Sequence, residues 1–178
     1  MLYTGKGDNG TTKTLNTNER VLKDHKIIEA LGSLDEANSF LGVVRYNLSQ
    51  KNSFKIEDKT FSEIILETQQ NLFIVQAEIA GASMKIEQDK VSLCEHYISL
   101  AEKNLPPIKS FLISGEGEES SLLDYARTLI RKTERRVVSV GAEPVTLAYL
   151  NRLSSLFYTM ARLANYLNNK NEQSPNYK

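Results

Sequence analysis

Residues Asp124 to Val138 read D-Y-A-R-T-L-I-R-K-T-E-R-R-V-V. Because successive residues of an α-helix are rotated by about 100°, this spacing predicts a helix with an apolar arc and, beside it, a stripe of arginines. This arginine stripe consists of Arg127, Arg131 and Arg135. Asp124 and Glu134 flank the stripe, and two acids cannot fully neutralise three bases. The pattern therefore favours an anion-binding helix over a solvated charged surface, and the rival to a phosphate as the anion is a carboxylate on a neighbouring helix or subunit.

The same helix has a second polar arc, which is predicted to face water. Its members are Tyr125, Thr128, Lys132, Arg136 and Ser139. This assignment places the arginine stripe between solvent and core. Arginine rather than lysine suits the bidentate capture of phosphate oxygens, so phosphate is the predicted anion.

The rest of the chain repeats apolar residues at three- and four-residue steps, which predicts four more helices. The five predicted helices span residues 24–48, 59–82, 89–103, 119–140 and 145–167. No stretch gives a convincing strand pattern, although the linker 105–121, with its apolar island at 111–113, is interpreted as a lid or a short strand. The predicted fold class is all-α, a five-helix up-and-down bundle in one domain over 1–178, with a loop at 1–20 and a flexible tail at 168–178.

The last predicted helix carries apolar residues over about 200° of its circumference, more than one side of a bundle requires. Either self-association or a central position in the bundle explains this width, and self-association is the preferred interpretation. A narrow polar strip remains on this helix, formed by Asn151, Ser155, Tyr158 and Arg162.

Composition restricts the possible functions. The chain has 178 residues, and its 22 Lys and Arg balance its 22 Asp and Glu. Without a basic excess, neither nucleic acid nor an anionic membrane is an expected partner. One Cys and two His predict neither a disulfide nor a zinc site. No membrane span or signal segment is recognisable, so the predicted location is the cytoplasm.

An N-terminal run, residues 3–12, reads Y-T-G-K-G-D-N-G-T-T. Glycines let backbone N–H groups turn toward a phosphate, while Lys6 and Lys23 supply positive charge. The order of residues is not that of a Walker A loop, and taken alone the run is equally typical of a flexible terminus. Beside the arginine stripe it predicts a polyphosphate site.

Two further polar residues are candidates. Asp35 lies at the border of the apolar face of the first predicted helix, where it would meet an arginine or remain an ordinary exposed acid. Asn151 can donate and accept hydrogen bonds, so it suits contact with a ribose, a base or a phosphate.

Several segments together resemble the PduO-type ATP:cob(I)alamin adenosyltransferases. They are Y-T-G-K-G-D-N-G-T-T from position 3, R-V-L-K-D from 20, G-S-L-D-E-A-N-S-F-L-G from 32, A-R-T-L-I-R-K-T-E-R-R from 126, Y-L-N-R-L-S from 149 and A-R-L-A-N from 161. The resemblance implies a five-helix bundle that forms a homotrimer, with each active site where two subunits meet. It implies that the cobalt of cob(I)alamin attacks the 5′ carbon of ATP and that triphosphate leaves.

The resemblance also implies roles for individual residues. The triphosphate would be wrapped by Thr4, Gly5, Lys6, Gly7, Asp8, Asn9, Gly10, Thr11 and Thr12 together with Lys23. Arg131 and Arg135 would face it from the helix, and Asn151 would contact the nucleotide. Mg²⁺ would be held mainly by the phosphates, with Glu134 assisting or orienting an arginine.

Two catalytic assignments concern the subunit boundary and the corrinoid. Arg127 would pair with Asp35 of a neighbouring subunit, and Phe111 would displace the lower ligand of the corrinoid, the alternative being that Phe111 only anchors the linker. A corrinoid reductase and an adenosylcobalamin-dependent enzyme are the implied partners. A non-catalytic carrier or sensor that binds ATP or a corrinoid is the alternative function.

The chain departs from the family pattern at three places. Lys6 stands where the family commonly has Thr or Ser, residues 114–118 read S-G-E-G-E where it has Pro-Gly-Gly, and Ser155 replaces an Asp. The first change is expected to alter how phosphate is held. The second bears on the role of Phe111 and on corrinoid preference.

Overall fold

A computed structural model describes residues 2–14, 19–51 and 53–177 of the chain. Parts of three predicted features lie outside the described residues. They are positions 1 and 15–18 of the N-terminal loop, the polar residue at 52 that was predicted to lie beyond the first helix, and the end of the tail at 178.

The five predicted helices are all present. They are α1 Lys26–Ser49, α2 Phe61–Ile79, α3 Gln88–Glu102, α4 Glu118–Val138 and α5 Pro144–Leu167. Their ends lie within three residues of the predicted ones, and the all-α fold class is confirmed. Local chemistry explains the starts: Thr60 and Glu63 form a capping box ahead of α2, and Pro144 begins α5.

Short strands were missed in two places, so the prediction that the chain lacks strands was wrong there. Thr11–Lys13 (β1) pairs antiparallel with Arg20–Leu22 (β2), and Lys55–Ile56 (β3) with Lys59–Thr60 (β4). Strands of two or three residues are too short to show an alternating pattern. β4 also takes the first two residues of the predicted second helix.

Helix packing places α5 at the centre of the domain. α1 packs against α2 and α4, while α5 packs against α4 on one side and α3 on the other. The wide apolar arc of α5 is therefore covered within one chain. Its buried members include Leu150, Leu153, Leu156, Phe157, Met160, Ala161 and Ala164, none more than 2% exposed. A central position, and not self-association, accounts for the arc.

Large exposed apolar side chains lie elsewhere, on the outer faces of α1 and α2. They are Val43, Tyr46, Leu66 and Phe73. Apolar contacts with another copy of the chain are therefore available on α1 and α2, whereas α5 offers mainly its C-terminal residues Tyr166 and Leu167.

The segment between α3 and α4, residues 103–117, is here called the linker. It contains no strand, so of the two interpretations offered for it the short strand was wrong. The tail lies against it: the Ile113 amide donates to the Gln173 carbonyl at 2.8 Å, and the Ser110 and Ser174 hydroxyls are 2.6 Å apart. Flexibility of the tail stays a prediction. In the part of the chain that the structure describes, no helix is long and apolar enough to cross a membrane.

Candidate active site

The arginine stripe lies on α4 beside α5. Arg127 is half-buried, and its Nε lies 3.0 Å from the Asp124 carboxylate three residues earlier. Its guanidinium also lies over the ring of Tyr158, 5.8 Å from the ring centroid. Burial raises the pKa of the Tyr158 hydroxyl, which keeps this phenol neutral. Arg127 is thus held in one orientation by its own chain.

The other two arginines of the stripe are exposed and are not neutralised. Among the described residues neither Arg131 nor Arg135 has a carboxylate within ion-pair distance, and Arg135 donates one hydrogen bond to the Arg131 carbonyl at 3.0 Å. The nearby acid Glu134 instead accepts a hydrogen bond from Asn151 Nδ2 at 3.1 Å. Two uncompensated guanidiniums therefore face solvent on one surface, which is suited to an anionic ligand.

The predicted outward arc of α4 is confirmed, because all of its members are exposed except Lys132, which is partly exposed, and the arc borders α1. The Tyr125 ring packs edge-on against Phe40 at 4.8 Å, and Lys132 and Arg136 pair with acids of α1 at 2.6 and 3.6 Å. In the stripe itself, Arg127 occupies the predicted position between solvent and core, whereas Arg131 and Arg135 are exposed, so the prediction was wrong for these two.

Two cavities adjoin the stripe. The first, of about 290 Å³, is lined by Arg131, Glu134, Arg135, Val138 and Asn151. The second, of about 610 Å³, lies between α4, α5, the linker and the tail, and Arg127, Arg131, Tyr158 and Phe111 are among its lining residues. The Phe111 ring is 81% exposed. Arg131 lines both cavities, so a single residue borders the two.

Three residues of the larger cavity were not assigned to the site from the sequence. Arg162 and Asn165 of α5 are each 7% exposed, and Glu172 of the tail pairs with Arg162. The Asn165 Oδ1 has no hydrogen-bond partner in the described structure. Arg162 belongs to the polar strip recognised on α5, and that strip was the signal that could have identified it. Glu172 lies outside any helix, so no periodicity marked it.

The N-terminal residues 4–12 form a tight loop that leads into β1. Gly5 and Gly10 have φ values of 67° and 78°, which favour glycine. The loop closes through Asp8 N to Gly5 O at 3.2 Å and Gly10 N to Gly7 O at 3.1 Å. Lys23 lies alongside, and a methyl group at Gly7 would be 3.3 Å from its Nζ. This geometry places an exposed ammonium next to a glycine-rich loop.

The structure of one chain does not bring the whole predicted site together. No hydrogen bond or ion pair among the described residues joins the N-terminal loop to Arg131 or Arg135, and the loop lines neither of the two cavities. Asp35 is exposed on α1 and, over the same described ranges, has no ion-pair partner. Within the chain the loop and the stripe are two separate half-sites.

A family model described as cobalamin adenosyltransferase matches residues 2–164. The chain belongs to this family. One relative of this chain in the cobalamin adenosyltransferase family is the corrinoid adenosyltransferase PduO of Salmonella typhimurium. The two sequences are 37% identical over 172 residues, which cover 90% of this chain and 48% of the relative. The chain thus spans about half the length of the PduO proteins it matches.

Other members of the family are matched over more of their length. The corrinoid adenosyltransferase of Bacillus subtilis is 36% identical, with 92% of this chain and 86% of the relative covered. The human corrinoid adenosyltransferase MMAB is 32% identical, with coverages of 92% and 68%.

Solved structures of the family share the fold. A variant of the PduO-type ATP:corrinoid adenosyltransferase from Lactobacillus reuteri, complexed with cobalamin and ATP, superposes with a TM-score of 0.88 at 28% identity and covers 98% of this chain and 99% of that chain. A second variant, complexed with ATP, gives a TM-score of 0.86 at 28% identity, with coverages of 98% and 100%.

Proposed function

We propose that this protein transfers the 5′-deoxyadenosyl group of ATP to the cobalt of cob(I)alamin and releases triphosphate. The Co(I) centre supplies an electron pair to C5′ as the C5′–O bond breaks, and the electrons of that bond leave with the triphosphate. The observation that carries the proposal is the position of Arg131, which has no ion-pair partner among the described residues and lines both cavities. Nucleotide phosphates in the smaller cavity and a corrinoid in the larger one would meet there.

The leaving group determines what the protein must supply. Triphosphate carries about four negative charges, so its departure requires donors that are already in place. Arg131 and Arg135 supply guanidiniums, and the loop of residues 4–12 with Lys23 supplies backbone N–H groups and an ammonium. None of these groups needs to form a covalent bond with the substrate, and catalysis is electrostatic and positional.

Mg²⁺ is the proposed companion of ATP. Glu134 has one carboxylate oxygen bonded by Asn151 and is not paired with a cation in the described structure, so its donor chemistry fits this ion. When bound, Mg²⁺ would neutralise part of the triphosphate charge while keeping waters and phosphate oxygens as its main ligands. Asn151 would hold the Glu134 carboxylate in place through the 3.1 Å hydrogen bond.

The larger cavity is the proposed corrinoid site. Phe111 is exposed at its edge on the linker, free of the bundle core, which suits an aromatic ring that displaces the lower ligand of the corrinoid. Ser114, the first of the departures at 114–118, lines this cavity, so corrinoid preference would be determined there.

A homotrimer is proposed because each chain holds two separate half-sites. Asp35 on α1 and Arg127 on α4 would pair between protomers, bringing the N-terminal loop of one chain to the arginine stripe of the next. The exposed apolar residues of α1 and α2 are available to such an interface. A corrinoid reductase and an adenosylcobalamin-dependent enzyme are the proposed partners, and the cytoplasm the proposed compartment.

One assay separates this function from a non-catalytic carrier or sensor. Purified protein, ATP, Mg²⁺ and chemically reduced cobalamin are mixed, and the absorbance change on formation of the cobalt–carbon bond is followed together with triphosphate release. Turnover with stoichiometric triphosphate supports the enzyme. Binding of both ligands without product would identify a carrier and overturn the proposal.

A further inference from the structure

The N-terminal loop combines internal hydrogen bonds with backbone donors that remain free. The carbonyls of Gly5, Gly7 and Gly10 accept backbone bonds within the loop and from Lys23 N, the last at 2.9 Å. In contrast, the amide N–H groups of Gly5, Gly7 and Asn9 have no partner among the residues that the structure describes. Three backbone donors of the loop are therefore available to a ligand, and such groups bind anions.

Two carbonyls of the loop depend on a side chain outside it. Arg20, the first residue of β2, donates from Nη2 to the Lys6 carbonyl and, at 2.8 Å, to the Thr11 carbonyl. Its Nε donates at 2.7 Å to the Thr11 hydroxyl. Three hydrogen bonds from one guanidinium therefore join the two ends of the loop to the neighbouring strand.

The bond to Thr11 also determines where its hydroxyl proton lies. The Thr11 hydroxyl accepts a hydrogen bond from Arg20 and donates one to Asn9 Oδ1 at 2.7 Å. Asn9 Oδ1 also accepts a hydrogen bond from Thr11 N at 3.2 Å. A hydroxyl has one proton to donate. Thr11 is consequently an internal brace of the loop, whereas the hydroxyl of Thr12, the next residue on β1, has no hydrogen-bond partner among the described residues.

We propose that Arg20 is a positioning residue for ATP. Arg20 keeps the loop in the conformation whose amide donors are free, and it acts on the triphosphate through the loop. Without Arg20 the carbonyls of Lys6 and Thr11 lose their charged donor and are free to turn toward the ligand side, where an acceptor repels phosphate oxygens. The inference rests on the proposed function, because it takes the loop to be the triphosphate site. It concerns the affinity for ATP and predicts no change in the corrinoid site.

The planar fork of Arg20 makes this assignment testable by substitution. Lysine keeps the charge but cannot bond Lys6 O, Thr11 O and Thr11 Oγ1 together. The variants are Arg20→Lys and Arg20→Gln, and the matched control is Lys13→Gln, which removes a positive charge from the residue directly opposite Arg20 in the β1–β2 pair. ATP binding is measured by calorimetry without corrinoid, and KM for each substrate and kcat are measured in the adenosylation assay.

Loss of a charged hydrogen-bonding group predicts a roughly ten- to hundredfold higher Kd and KM for ATP in both Arg20 variants. In both Arg20 variants the KM for the corrinoid is expected to stay within about twofold of the parent value, because Arg20 forms no bond that shapes the corrinoid site. In Lys13→Gln every constant is expected to stay within the same limit, because Lys13 forms no bond that shapes either site. Guanidinium ion added to an Arg20→Ala variant should recover part of the ATP affinity.

Three results would overturn the inference: unchanged ATP affinity in Arg20→Gln, an equal loss in Lys13→Gln, or full retention of affinity in Arg20→Lys. Calorimetry keeps the test independent of turnover. A parent protein that binds ATP but makes no adenosylcobalamin would refute the proposed function and leave the Arg20 comparison valid. If Arg20→Gln does not fold, Arg20→Lys decides the matter, since it retains the charge.

Discussion

Arg162 and Glu172 form an ion pair that joins the central helix to the tail, with Nη2 and Oε2 3.0 Å apart. The side chains are 8% and 18% exposed, so this guanidinium is almost withdrawn from water. Arg162 also donates to the Pro106 carbonyl of the linker at 3.0 Å. One side chain of α5 therefore holds both irregular segments that enclose the larger cavity.

Removal of Glu172 should destabilise the protein. Glu172→Ala leaves the buried guanidinium without its counter-charge, which is expected to cost about 2–3 kcal/mol and to lower the melting midpoint by about 5 °C for a chain of this size. Glu172→Gln retains an acceptor and should cost less. Thermal denaturation checks this, with Glu102→Ala, an exposed acid of α3, as control. Equal midpoints for Glu172→Ala and the control would contradict the prediction.

Arg131→Ala should reduce kcat about a hundred- to a thousandfold, since it removes the proposed donor to the leaving group, at the residue that borders both cavities. The fold should be unaffected because Arg131 is exposed and has no ion pair in the described structure. Arg136→Ala is the matched control, an arginine of the same helix that pairs with Glu29 of α1. Steady-state adenosylation and circular dichroism are measured for both. Near-parental turnover in Arg131→Ala would refute the residue's role.

The proposed homotrimer, in which Asp35 would pair with Arg127 across a subunit boundary, is tested by exchange of charge. Asp35→Arg and Arg127→Asp should each weaken the trimer and lower activity at least tenfold, because like charges then face each other. In the double variant the trimeric fraction, measured by analytical ultracentrifugation, should recover more fully than the activity does. Its recovery of activity is limited because Arg127 also contacts Asp124 and Tyr158 within its own chain. Absence of any recovery would exclude this pairing.

Cys94 should be unreactive in the native protein. Burial raises the pKa of the Cys94 thiol from 9.0 to about 12, so almost no thiolate is present at pH 8. Thiol-specific reagents should react slowly with the native protein and rapidly after unfolding. Because the folded pKa lies above the unfolded one, the native state binds more protons between pH 9 and pH 12, and stability should fall as pH rises through this window. Cys94→Ala should show a smaller fall, and an identical fall would contradict the linkage.

The helices were predictable because each must bury one face, which imposes three- and four-residue spacing on its apolar residues. The same spacing located the arginine stripe on α4. It could not reveal β1 to β4, whose strands are held by backbone bonds between segments rather than by a side-chain pattern. The N-terminal loop was recognised from its glycines, but the role of Arg20 in it depends on pairing across β1 and β2.

By itself, the sequence determined the number and extent of the helices, the alignment of Arg127, Arg131 and Arg135, and the family, because all of these are periodic or local properties of the chain. Tertiary structure alone decided what covers the wide apolar arc of α5, that Arg131 is shared by two cavities, and that Arg162 holds the linker and tail. The physical reason is that the burial of an apolar face, the lining of a cavity and the pairing of a charge each require a partner from a distant segment. Helical spacing carries no information about which segment that is.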